Sequence, residues 1–196
     1  MYKLSMGYLS VAITLTGYVL YITSMYRKAS PEKQIKPHPL SWSLFGFLTA
    51  TGWLAQEMKG GHDGSWCLGI TSLFCFLIAT LSFKRYSWRF EKKDWVFVVV
   101  GMVLFLYSVF VQTPAISATL ATLADLAGYG PTLRKGWRQP YTDNPVNFTF
   151  NSVKCIPAIL ALASYSWATC VYLVMLIGMN GFVATMLIAR RSYKTV

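Results

Sequence analysis

Two side chains could do chemistry in surroundings that make chemistry difficult. Asp125 and Lys154 each stand deep inside an apolar stretch of the chain. A bilayer core offers no water, so a charge there must find a partner, face a cavity or carry a proton. With 115–133 and 147–165 read as helices whose inner ends are 133 and 147, Asp125 lies ~13 Å in and Lys154 ~10 Å in, at 1.5 Å per residue. The similar depths predict a direct or water-bridged ion pair across the interface of two sequential helices. Such a pair could fasten the helices together. It could equally line a cavity that meets a polar solute, or leave Asp125 free to take up a proton during transport.

Amides surround this pair in sequence. Asn151 precedes Lys154 by three residues and shares its helix face, with Asn147 a turn earlier. Asn180 falls in the middle of a later apolar stretch. Each amide has donors and an acceptor to satisfy, which suits either interhelical bonds or a hydroxylated ligand. Trp53 stands about one turn from a water boundary, with Gln56 on the same face. It could stack on a ligand, or simply pack. Gly128-Tyr129-Gly130-Pro131 is the clearest backbone anomaly. Pro131 cannot donate to the carbonyl of Ala127, and two glycines ease bending, so a static kink and a hinge are both open. No catalytic motif is present, and the cysteines and histidines have no metal-ligand spacing. The chain is therefore expected not to be an enzyme and to need no metal or cofactor.

The elements that must position these residues follow from composition. Of 196 residues, 55% are hydrophobic and 13% charged, and mean hydropathy is +0.44. A soluble domain would carry about a quarter charged residues. Seven apolar segments stand out, at about 4–26, 40–58, 66–83, 95–112, 115–133, 147–165 and 167–189, each near the length needed to cross hydrocarbon. The expected fold is all-α: a polytopic protein with seven transmembrane helices in a single membrane domain over 1–196. Eighteen Lys and Arg oppose seven Asp and Glu. All the basic residues except Lys3, Lys59 and Lys154 follow the first, third, fifth or seventh segment, which is one face if every segment spans. The N-terminus is then outside and the C-terminus cytoplasmic. That pattern accounts for the charge as topology and lipid attraction, not nucleic-acid binding. Trp42, Trp66, Trp88, Trp95, Trp137 and Trp167 read as an interfacial aromatic belt.

Segments one to three and five to seven share punctuation. Gly17-Tyr18 corresponds to Gly128-Tyr129, Arg27-Lys28 to Arg134-Lys135, and Lys36-Pro37 to Gln139-Pro140. The third member of each set starts at a Trp, Trp66 or Trp167, and ends in a basic pair. This predicts two parallel three-helix repeats, about 4–83 and about 115–191, joined by a plain linker helix at about 95–112.

With Gly128-Tyr129-Gly130-Pro131-Thr132 near the inner end of the first helix of a repeat, this plan resembles the SWEET/PQ-loop group, whose architecture Pnu-type vitamin transporters share. The stretch Lys36-Pro37-His38-Pro39-Leu40-Ser41-Trp42 is similar to segments of uncharacterised bacterial membrane proteins at the edge of that group. Thr132 stands in place of the group's Gln, and Leu20-Tyr21 where the first repeat would have Pro-Gln. The resemblance implies a pocket contacted by Asn180 and lined by Trp53. It also implies a small polar metabolite transporter in a bacterial inner membrane, working by alternating access around a midplane site. The expected substrate-binding residues are Asp125, Asn151, Lys154, Asn180, Trp53 and Gln56, with Gly128, Gly130 and Pro131 as a hinge. Expected partners are a small-molecule substrate and membrane lipids, with a homo-oligomer left open. The alternative is a non-transporting receptor, assembly factor or lipid-binding scaffold on the same plan.

Overall fold

The computed structural model describes residues 2–58 and 62–193, without the side chains of Ala55, Met58 and His62. Lys59 and Lys194 lie outside the described residues. The described chain is all helical: α1 (Tyr2–Tyr26), α2 (Pro39–Met58), α3 (Trp66–Arg85), α4 (Lys92–Phe110), α5 (Pro114–Arg138), α6 (Pro145–Val153), α7 (Cys155–Ala161) and α8 (Trp167–Tyr193). Four of them, α1, α3, α4 and α8, are long and apolar enough to cross a membrane.

Local chemistry explains the boundaries. Pro114 and Pro145 occupy first-turn positions, where the missing N–H costs nothing. Asn144 Oδ1 accepts from the Val146 N–H at 3.0 Å, capping α6. At the head of α4 the Glu91 N–H donates to Asp94 Oδ2 at 2.9 Å. The segment expected as one helix over 147–165 is divided. Pro157 cannot donate to Val153, and the regular helix is interrupted at Lys154, between α6 and α7. Helical geometry ends altogether at Leu162, whose ψ is 135°.

The helices close into a ring. Its packing order is α1, α3, α2, α5, α8, then the α6–α7 rod, which returns to α1. Within it α3 lies between α1 and α2, and α8 between α5 and α6. The eighth helix, α4, packs on the outside of α5 and α2. Only Asp94, Gly101 and Ser108 of α4 are buried, so it is the outward-facing apolar helix its plain sequence suggests.

Close approach explains the glycines expected to form a hinge. The described α5 runs unbroken through Pro131 to Arg138. A Cβ on Gly128 would meet the Phe45 ring at 3.0 Å, and one on Gly130 would meet the Phe97 ring at 2.4 Å. Both glycines are thus accounted for by packing against α2 and α4. Gly130→Ala is expected to lower stability by about 1–3 kcal/mol through overpacking. A melting experiment in detergent checks this, and Phe97→Ala in the same chain should recover part of the loss.

Candidate functional site

The ring surrounds a small chamber lined by side chains from α1, α2, α3, α5, α6, the α6–α7 junction and α8. Four of the expected site residues, Asp125, Asn151, Lys154 and Asn180, line it together. Every lining residue is buried, the most exposed being Phe45 at 8%. The cavity volume is about 30 Å³, room for about one water.

The expected ion pair does not form. α8 separates α5 from α6 in the ring, so Lys154 and Asp125 approach the chamber from different sides. Lys154 Nζ reaches across to α3, donating to Thr71 Oγ1, and lies 5.0 Å from the centroid of the Tyr18 ring on α1. Lys154 is 1% exposed, and no carboxylate pairs with it among the described residues. Asp125 is equally buried; the Tyr172 hydroxyl of α8 lies close enough to interact with it, but no well-formed hydrogen bond or ion pair satisfies either oxygen. Removing an ionised carboxylate from water without a partner costs several kcal/mol. Asp125 is therefore the point in the interior that most demands a cation or a donor.

The amides are partly engaged. Asn151 Nδ2 donates to the Asn147 carbonyl at 3.1 Å, and Asn180 Nδ2 to that of Leu176 at 2.9 Å. Each of these bonds runs one turn back along the same helix, while Asn180 also interacts with the Tyr129 hydroxyl of α5.

Trp53 and Gln56 are not at the chamber. The α2 face that lines it is Trp42, Phe45 and Thr49. One turn on, Gly52 continues inward beside Tyr172 and Leu68. Trp53 is turned a further ~100° around the helix, onto Gly69 of α3, and is 36% exposed. Gln56 Nε2 donates to the Thr169 carbonyl of α8 at 3.1 Å and faces a different cavity.

Aromatic rings were the missed part of the site. Tyr18, Trp42, Phe45, Tyr129 and Phe148 all line the chamber. Trp42, expected in an interfacial belt, is 2% exposed, and its Nε1–H is unpartnered. The i, i+3, i+7 spacing of Trp42, Phe45 and Thr49 was the signal available.

Where the basic residues gather, the bundle is tied by a lattice of charges. Arg134 pairs with Glu91 and Asp94, and Arg138 Nη1 lies 3.0 Å from Glu91. Asp143 accepts from Tyr21 Oη at 2.8 Å and pairs with Lys135 at 3.1 Å. The Lys36 N–H donates to the Thr142 carbonyl at 2.8 Å, joining the segments that precede α2 and α6. Lys135 Nζ donates to the Lys36 carbonyl, adding a tie to α5. Charges read from sequence as topology markers thus also bind the ends of several helices.

Compared with protein-family models, curated proteins and solved structures, the chain matches none.

His38 sits in this lattice, 3.6 Å from Asp94 and edge-on to Trp88 and Phe90. Burial pushes its pKa down to about 4, helped by Lys135 and Arg134 and opposed by Asp94. The unfolded chain binds this proton near pH 6.5, whereas the fold resists it until about pH 4. Stability attributable to His38 is therefore full above pH 6.5 and falls by about 3 kcal/mol as pH drops to 4. Melting curves across that range should show the loss in the wild type and a flatter profile in His38→Gln.

Proposed function

We propose that this protein is a seven-span membrane carrier for a small polar solute, held here closed around its binding site. One observation carries the reading: a carboxylate and an ammonium face the same buried chamber without touching each other. Buried charges kept for stability are normally paired. Here Asp125 is left without a cationic partner, as a site for a ligand's cationic or donor group would be. Lys154 supplies the complementary attraction for an anionic or acceptor group, and the surrounding rings suit a compact organic body. A small solute with both kinds of group, such as an amino acid, fits this set better than a plain sugar.

Several features support the two-repeat plan. In both halves the third helix packs between the first and second. Tyr18 and Tyr129, matched in the sequence alignment of the halves, both face the chamber. The preceding glycines match as well: Gly17 of α1 lies against Phe150 of α6, and Gly128 of α5 against Phe45 of α2. The α6–α7 rod, interrupted at Lys154, has the discontinuous form that transporters use around midplane sites. In this reading α2, α5 and the α6–α7 rod also span, and the membrane is a bacterial inner membrane. The charged lattice closes the cytoplasmic end, and the missing bond at Pro131 leaves α5 pliable beside it. Since the chamber holds about one water, solute binding requires the ring to expand.

The tightness of the same chamber favours a second reading, a scaffold or assembly factor with no permeant. A thermal-shift screen of the purified protein against amino acids and other small metabolites separates the two. The carrier reading expects a stabilising metabolite whose effect disappears in both Asp125→Asn and Lys154→Met. Those variants should themselves melt no lower than the wild type, because neither breaks an ion pair. Both variants melting far below the wild type, with no metabolite shifting the wild type, would support the scaffold. Uptake of the stabilising metabolite into proteoliposomes then tests movement directly.

A further inference from the structure

A second and much larger cavity, about 500 Å³, lies where α2 and α4 end and α5 and α8 begin. Its size falls in the range of small-molecule sites. The wall owes its depth to small side chains, among them Gly52, Ala118, Ala121 and Ala168. No charged residue lines it among the described residues. The cavity opens beside Leu54 and Val109, which are 53% and 62% exposed on the apolar exterior. With the bundle in a membrane, this places part of the mouth, between α2 and α4, within reach of lipid.

Polar atoms in the wall divide into two groups. The hydroxyls of Thr51, Ser108, Ser117 and Thr169 already donate to backbone carbonyls. Gln56 Oε1 does not have a hydrogen-bond partner, although its residue is only 5% exposed, whereas the Tyr172 hydroxyl is turned to Asp125. An unmet acceptor on a buried amide loses its hydration without compensation. Gln56 is held in place by its own Nε2 bond to the Thr169 carbonyl. Its oxygen is thus a fixed acceptor in an apolar, uncharged recess.

We propose that this recess binds a neutral amphiphile drawn from the membrane: a hydrocarbon body between α2 and α4, and a hydroxyl that donates to Gln56 Oε1. The lack of a cationic partner disfavours a fatty acid carboxylate, which would be desolvated there without compensation. The lack of an anionic partner disfavours an amine in the same way. Tyr172 stands between this recess and Asp125, but amphiphile binding does not depend on carrier activity.

Photolabelling of the purified full-length protein with diazirine-bearing hexadecanol, beside the matching hexadecanoic acid, tests it at a pH where the acid is ionised. The alcohol should label peptides of α2, α4, α5 and α8 that line the recess. Gln56→Leu should cut that labelling by about tenfold, the worth of one buried hydrogen bond. Ala121→Phe should abolish it by filling the recess, while unlabelled hexadecanol should compete in the wild type. Melting temperatures near that of the wild type establish that both variants fold, and if Ala121→Phe does not, the Gln56→Leu result and the peptide map decide. Equal labelling by acid and alcohol, labelling spread over the exposed α4 face at Val99 and Val103, or labelling unchanged in Gln56→Leu would overturn the proposal.

Discussion

A carboxylate and an ammonium in one buried chamber should attract each other strongly, yet here they are held apart. That separation depends on α8 standing between α5 and α6, so that Asp125 and Lys154 enter the ring from different sides. Lys154 is steadied by Thr71 and the face of Tyr18, but Asp125 has no comparable support. The rest of the interior is arranged around this imbalance. Aromatic rings narrow the space to about one water, and the amide N–H groups of Asn151 and Asn180 bond back along their own helices.

The two ends of the bundle close in different ways. Around Arg134 and Asp143, charged side chains and backbone carbonyls from α1, α4, α5 and α8 bind to one another and to the intervening segments. At the other end Gln56 links α2 to α8 by a single bond, and a broad apolar recess opens beside it. Opening the first end means breaking many charge-assisted bonds together. Opening the second disturbs packing and fewer bonds, among them Lys3 Nζ to the Ala163 carbonyl and Ser65 Oγ to Glu57.

Apolar length and charge spacing were legible in the sequence, and the helix boundaries agree closely for α1, α2 and α3. Asp125 and Lys154 stood out in the sequence as charges within apolar stretches, and both line one chamber. Their pairing was not readable, because chain order does not reveal which helix packs between two others. Trp53 and Gln56 were misplaced for a simpler reason. A turn of ~100° per residue separates an inward Gly52 from an outward Trp53, and hydropathy alone does not give the direction of the axis. The break at Lys154 was missed, because the apolar continuity of the stretch outweighed Pro157. The charge lattice was hidden because basic residues after apolar segments already have a sufficient explanation in topology.

The uneven hydropathy of the ring bears on how the chain is built into a bilayer. α1, α3 and α8 are apolar enough to cross unaided, whereas α5 and the α6–α7 rod carry the Asp and Lys that resist partitioning by about 2.5–3.5 kcal/mol apiece. In the seven-span reading, α2, α5 and the rod each have a self-sufficient neighbour, α3 or α8, in the ring. Biosynthesis would then anchor the greasy helices independently and retain the reluctant ones by docking against them, so that assembly and the burial of the ionisable pair become one event.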